Sequence, residues 1–157
     1  MIKAILIDDE VHCLDTLSIL LEDYCKDVQV AEKCLSAKEG LAAIEKFKPD
    51  LVFLDIQMPD MKGTDFSKLL PPETQIVFTT AYSEYALAAF DLGAEDYLVK
   101  PITFERFLQA INKVKFNRNS GNSELTITVK SGYDLHKVKL ADIIYLESDS
   151  EYVIYHT

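Results

Sequence analysis

Leu51-Val52-Phe53-Leu54-Asp55 is a run of four apolar residues that stops at a carboxylate. So short a run, apolar throughout, reads as a strand buried on both faces of a parallel sheet, where helices on either side cover every side chain. Three other runs repeat the pattern. Ile5-Leu6-Ile7 ends in Asp8-Asp9, Ile76-Val77-Phe78 in Thr79-Thr80, and Tyr97-Leu98-Val99 in Lys100-Pro101. Ligands bind open parallel sheets beyond the carboxyl ends of the strands. The polar residues of all four strands sit at those ends, so the endings describe one site.

Between the runs lie helical patterns. Leu14, Leu17, Leu20, Leu21 and Tyr24 recur at helical spacing, and Val28 and Val30 alternate with polar neighbours as in an edge strand. Ser36 caps a second helix with Glu39 in the capping-box position, and Leu41, Ile44 and Phe47 form its stripe. A short helix spans 63–70, and another starts at Ser83 and runs to Gly93. Thr103 caps a last one with the face Phe104, Phe107, Leu108 and Ile111. Five β-α units with right-handed crossovers predict a (βα)5 doubly wound parallel sheet, strand order 2-1-3-4-5, over residues 1–118. The polar stretch 117–123 reads as a linker, placed at 119–123. Beyond it the period changes to two, with Leu125, Ile127 and Val129, a turn at Gly132, and short strands around 135–138, 143–147 and 152–155. Residues 124–157 are too few for an independent β core and read as the front of a second, partial all-β domain.

The chain has 157 residues, is 48% hydrophobic and carries a net charge of −10. That composition supports a real core and argues against a polyanion-binding surface over the whole chain. Cys13, Cys25 and Cys34 are an odd count, widely spaced, and read as small buried side chains in a reducing cytosol rather than as metal ligands or disulfide partners. The N-terminal apolar run breaks at Asp8, too early for a signal or membrane segment, which predicts a cytoplasmic protein without membrane contact.

Strand order 2-1-3-4-5 makes strands 1 and 3 neighbours, so Asp8, Asp9 and Asp55 converge. Three carboxylates so close raise one another's pKa unless a cation neutralises them. A hard, oxygen-seeking Mg²⁺ suits the cluster, with Mn²⁺ able to substitute. Asp55 retains a carboxylate oxygen as a nucleophile for a phosphoryl group, Lys100 offers a compact positive charge, and Thr80 a hydroxyl. A lone Asp at a strand end is ordinarily a turn or cap residue. Asp-Asp, Asp, Thr and Lys-Pro at four of five strand ends are not a coincidence of caps.

Ile7-Asp8-Asp9-Glu10, Leu54-Asp55-Ile56-Gln57-Met58-Pro59 with Gly63, Thr79-Thr80-Ala81 and Tyr97-Leu98-Val99-Lys100-Pro101 resemble a response-regulator receiver domain of two-component signalling. The resemblance implies a flavodoxin-like fold, with Asp55 as phosphoacceptor and a sensor histidine kinase as donor. It implies Mg²⁺ held by Asp9, Asp55 and the backbone carbonyl of Gln57, with Asp8 acting through water. Thr80 and Tyr97 would be the switch pair and the Lys100–Pro101 peptide would be cis. It also implies a phosphoprotein that is no classified enzyme, dimerising through the fourth helix, fifth strand and fifth helix (83–92, 96–99, 104–114). Gln57 and Tyr82 flank the site, where their bulk would keep autodephosphorylation slow to moderate.

Ala81-Tyr82-Ser83-Glu84-Tyr85-Ala86, with Ala89-Phe90-Asp91, resembles receivers joined to LytTR DNA-binding domains, and Ile127–Gly132 and Asp142–Ser148 resemble the opening strands of that output domain. The loop Asp149-Ser150-Glu151 then corresponds to a DNA-reading loop. From Asn119 onward, however, Lys130, Lys137 and Lys139 face Glu124, Asp134, Asp142, Glu147, Asp149 and Glu151. Affinity for DNA rests largely on Lys and Arg contacts to phosphate. The full-length parent is expected to bind promoter DNA and this chain is not. Two other classes compete. An aspartyl-phosphate phosphatase would need Asp-x-Asp after the first strand, and here the spacing is Asp-Asp. A phosphorylation-independent interaction module would not need the complete acidic set and Lys100.

Overall fold

The computed structural model describes residues 1–82, 92–120, 126–131, 134–139, 145–149 and 152–156. The apolar runs become β1 (Ile2–Ile7), β2 (Val28–Cys34), β3 (Leu51–Asp55), β4 (Gln75–Thr80) and β5 (Asp96–Val99). They pair in parallel in the order β2-β1-β3-β4-β5, the doubly wound, flavodoxin-like topology expected. Register brings the site together: Ile7 lies opposite Leu54, and Asp55 opposite Thr79. Every residue of the central β3 is buried, whereas β2 at the edge is buried only at its two ends, Val28 and Cys34, and shifts register between Ala4 and Ile5 of its partner.

Alternate residues feed two cores. Leu6, Phe53, Val77 and Leu98 point to the face covered by α1 (Val11–Tyr24) and the helix Phe104–Ser120, where they meet Leu14, Leu17, Phe107 and Ile111. Ile7, Val52, Leu54 and Phe78 point to the other face, toward α2 (Ala37–Phe47) and α3 (Gly63–Phe66), where Ala43, Ile44 and Phe66 lie. A 3-10 turn, Ser67–Leu69, completes the short helix before the two prolines.

Three expected face residues differ. The buried side of α2 is Ala37, Gly40, Ala43 and Ile44, while Leu41 is exposed. The small residues let the helix lie close on the sheet: a Cβ at Gly40 would sit 2.6 Å from Ile7 Cδ1. That close approach rotates the larger Leu41 outward. Tyr24 and Phe104 are also exposed and pack on each other instead, ring centroids 4.6 Å apart. Ala110 and Val114 fill the core stripe below Phe107. The capping expectation is met: Ser36 Oγ accepts from the Glu39 amide at 3.2 Å and Glu39 Oε2 accepts from the Leu35 amide at 2.8 Å.

The last helix continues to Ser120, through four residues that composition reads as linker. Asn, Arg and Ser are tolerable in a helix's final turn, and the first strong breaker is Gly121. Residues 1–114 and 115–157 form two compact units. In the second, β6 (Thr126–Ser131) pairs antiparallel with β7 (Asp134–Lys139), and β8 (Tyr145–Asp149) with β9 (Tyr152–His156). Residues 83–91 of the helix expected from Ser83 to Gly93 lie outside the described residues, and 92–93 form a turn; Gly132, Ile143, Ser150 and Glu151 also lie outside. Among the described residues no helix is long and apolar enough to cross a membrane.

One polar cluster inside the first unit was not foreseen. Asp96, 2% exposed at the start of β5, receives Arg106 Nη2 at 3.1 Å and Lys113 Nζ at 3.2 Å from the last helix. Burial opposes its charge, but these hydrogen bonds outweigh burial and hold the carboxyl below its usual range. A lowered folded-state pKa stabilises the fold above the unfolded value, and that contribution is lost as pH falls through the folded one. Asp96→Asn should therefore cost about 2 kcal/mol at pH 7, the scale of charged hydrogen bonds whose cations can relax into water. Urea unfolding at pH 7 and at low pH checks this; an equal cost at both would contradict the electrostatic account.

Candidate functional site

The ends of β1, β3, β4 and β5 meet around one ammonium group. Lys100 Nζ lies 2.8 Å from Asp8 Oδ2, 3.5 Å from Asp55 Oδ1 and 3.8 Å from Glu10 Oε1. Asp8 and Asp55 are buried and Asp9 is exposed, with one carboxylate oxygen from each lying within 4.8 Å of the others. Asp8 is held from three sides: Oδ2 accepts from Lys100 and, at 3.5 Å, from Thr79 Oγ1, while Oδ1 accepts from the Glu10 amide at 2.9 Å. Glu10 and Thr79 stand in the quoted motifs, but the sequence reading gave neither a role. An acid directly after Asp8-Asp9 was a usable signal for Glu10; Thr79 depended on strand register.

Burial dominates the electrostatics of Asp55 and pushes its carboxyl up to about 6, with Lys100 opposing and Asp8 and Asp9 adding to the rise. For Lys100 burial works against the charge, but the hydrogen bond to Asp8 and the charges of Asp55 and Asp8 prevail and raise its pKa. One lysine thus faces more negative charge than it neutralises. The surplus and the all-oxygen donor set fit a hard divalent cation.

The loop after β3 shapes the opening. The Gly63 amide donates to the Ile56 carbonyl at 2.8 Å, and Gln57 bridges to Lys62. A Cβ on Gly63 would lie 2.1 Å from the Asp55 carbonyl oxygen, so this close approach requires glycine. Thr80 is fully buried at the end of β4, and its Oγ1 accepts from the Tyr82 amide at 3.1 Å. Tyr97 is half-buried in β5; the Arg106 guanidinium lies 5.7 Å from its ring centre and donates to its carbonyl at 2.7 Å. Tyr82 is about half exposed, and the Lys100–Pro101 peptide is cis.

Beside this site, His12 Nε2 lies 3.1 Å from Glu10 Oε2, and Cys13 Sγ donates to the same oxygen at 3.4 Å. Among the described residues the three cysteines form no disulfide and are buried, and burial first, then Asp8, pushes the Cys13 thiol up to about 11.

Comparison with known proteins agrees with this geometry. The family described as response regulator receiver domain matches residues 4–112. An uncharacterized response regulatory protein of Vibrio cholerae is 42% identical over 129 residues, covering 80% of this chain and 54% of that protein. The transcriptional regulatory protein BtsR of Escherichia coli (strain K12) is 38% identical over 127 residues, covering 80% of this chain and 53% of BtsR. The chain thus spans about half the length of these curated relatives. Among solved structures, the REC domain of AraT, a response regulator from Geobacillus stearothermophilus, superposes with a TM-score of 0.71 at 25% identity, over 78% of this chain and 98% of that one. The response regulatory domain of mrkE from Klebsiella pneumoniae gives 0.68 at 27%, over 75% and 98%. With a family match across most of its first unit and the matching fold beneath an acidic, lysine-bridged pocket, the chain belongs to the response regulator receiver domain family.

Proposed function

We propose that this receiver accepts a phosphoryl group on Asp55 from a sensor histidine kinase and passes the change to an output domain that controls transcription. The observation that carries the reading is Lys100 Nζ standing between Asp8 and Asp55 at the mouth of a three-carboxylate pocket. An Asp55 oxygen attacks the donor phosphorus, the phosphorus–nitrogen bond to the kinase histidine breaks with its electron pair leaving on nitrogen, and an acyl phosphate forms. Lys100 is in reach of an incoming phosphoryl oxygen. Asp9, Asp55 and the Gln57 carbonyl, with Asp8 through water, would hold Mg²⁺ or Mn²⁺, which supplies charge neutralisation to the carboxylates and the phosphoryl oxygens.

Thr80 and Tyr97 form the switch in this reading. The Thr80 hydroxyl turns from the Tyr82 amide toward the new phosphoryl oxygens, vacating space that the half-buried Tyr97 ring takes up. Tyr82, beside the opening, slows the attack of water. Phosphorylation then favours a two-fold dimer through the face containing β5 and the last helix. Residues 124–157 are read as the N-terminal part of a LytTR-type domain, with DNA bound by the full-length parent. Relatives named as transcriptional regulators support that role.

Incubation with acetyl phosphate should add one phosphoryl group, roughly 80 Da, in Mg²⁺ or Mn²⁺ and none in a chelator. Absence of the adduct with metal would leave an interaction module. Thr80→Ala should accept the group normally yet lose most of the phosphorylation-dependent change in amide hydrogen exchange around β5. An unchanged shift would overturn the switch.

A further inference from the structure

The first turn of α1 places three donors of mixed softness beside a cavity. Glu10 precedes the helix, and His12 and Cys13 lie within its first turn. The imidazole Nε2 and the thiol Sγ lie 3.1 and 3.4 Å from one Glu10 oxygen, and all three ligand atoms lie within 4.8 Å of one another. In a tetrahedral zinc site, bond lengths near 2.0–2.3 Å put nitrogen–oxygen and sulfur–oxygen edges at roughly 3.3–3.6 Å. Two edges therefore already have about the right length. The third closes by a small swing of the His12 ring, whose side chain is 78% exposed and free to move.

The site is open on one side. A cavity of about 380 Å³, lined by Glu10, His12, Cys13, Thr16, Lys100 and Ile102 among others, leaves room for water as a fourth ligand. The positive end of α1 favours the carboxylate and, against the burial and Asp8 charge that keep Cys13 protonated without a metal, the thiolate, which partly offsets its repulsion of a cation. The sulfur and imidazole donors distinguish this cluster from the all-oxygen set of Asp8, Asp9 and Asp55, because thiolate and imidazole select borderline-soft ions over Mg²⁺.

We propose that Glu10, His12 and Cys13 form a binding site for a transition-metal cation of the Zn²⁺ class, separate from the acidic pocket. Binding releases the Cys13 proton to solvent. It also draws on Glu10, whose other oxygen lies 3.8 Å from Lys100, and so competes with a contact of the phosphoacceptor site.

Co²⁺ titration of the reduced full chain is the test, because tetrahedral cobalt–thiolate bonding gives visible ligand-field bands and a near-ultraviolet charge-transfer band. Both should appear at one equivalent, resist a large excess of Mg²⁺, and disappear on adding Zn²⁺. Cys13→Ser should remove the charge-transfer band, and Cys25→Ser and Cys34→Ser should retain it. His12→Ala, an exposed change whose intact fold circular dichroism should verify, should weaken binding at least tenfold; it decides the matter if Cys13→Ser fails to fold. No thiolate band in the wild type, displacement by Mg²⁺, survival of the band in Cys13→Ser, or wild-type affinity in His12→Ala would each overturn the site. None of these readouts depends on phosphorylation.

Discussion

Asp55→Asn will lose all phosphoryl uptake and yet, in a chelator at neutral pH, will be more stable than the wild type. The loss follows from removing the nucleophile: a carboxamide has no anionic oxygen to attack phosphorus. The gain follows from the electrostatics of the pocket. Burial, with Asp8 and Asp9, pushes the Asp55 carboxyl up to about 6 even against Lys100. The unfolded value is about 3.9, so the folded state binds the proton more tightly. An acid raised in this way favours folding while it is protonated in both states, and stability falls as pH rises through the folded value. Near pH 7 the wild type therefore carries a cost on the order of 2–3 kcal/mol. Asn, like the protonated acid, avoids this cost, in which the attraction of Lys100 is already included, so about 1–3 kcal/mol should be gained. Lys100 keeps its 2.8 Å contact with Asp8. Urea midpoints of both proteins between pH 4 and 7, with intact mass after acetyl phosphate treatment, measure the two effects. The stability difference should shrink toward pH 4. An adduct on the variant, or a difference that ignores pH, would refute the corresponding half.

Gly63→Ala should be the most damaging small substitution in the first unit. The added methyl would sit 2.1 Å from the Asp55 carbonyl oxygen, 2.9 Å from its carbonyl carbon and 2.9 Å from Ile56 Cα. All three obstacles are backbone, so no side chain can turn aside. The loop must move, and it carries Gln57 and the end of the strand bearing Asp55. A cost of about 3 kcal/mol or more is expected, at the upper end of overpacking. Metal-dependent phosphorylation should weaken as well, because Asp55 and the Gln57 carbonyl would be displaced together. Gly93 is the contrast: it has a φ of 71°, but a Cβ there would meet nothing within 4 Å. Gly93→Ala should cost only its backbone strain, about 1–2 kcal/mol. Urea unfolding of both variants tests the ranking, and a Gly63→Ala loss below that of Gly93→Ala would contradict it.

The parallel sheet was legible because each of its central strands is apolar on both faces and ends in a polar or charged residue, which breaks the apolar run where the site begins. That pattern also placed Asp8, Asp55 and Lys100, since a doubly wound sheet brings the ends of neighbouring strands together. Helix faces were less legible. A 3.6-residue period says that a helix has an inner side, but Leu41 and Ala43 compete for it. The winner was set by how closely Gly40 lets α2 approach Ile7. Composition likewise stopped the last helix too early, because polar residues do not end a helix whose remaining turns have no breaker.

The sequence by itself determined the strands, their order and the carboxylate–lysine content of the site, because strand-length apolar runs and right-handed crossovers admit few alternatives. Only the tertiary structure decided which groups touch. Register put Thr79 opposite Asp55 and within reach of Asp8. Chain packing buried Asp96 against Arg106 and Lys113, and brought the Asp55 carbonyl so near Gly63 that no side chain fits. Contacts of this kind join residues distant in the chain, and their distances depend on how whole elements pack, which no local pattern of residues encodes.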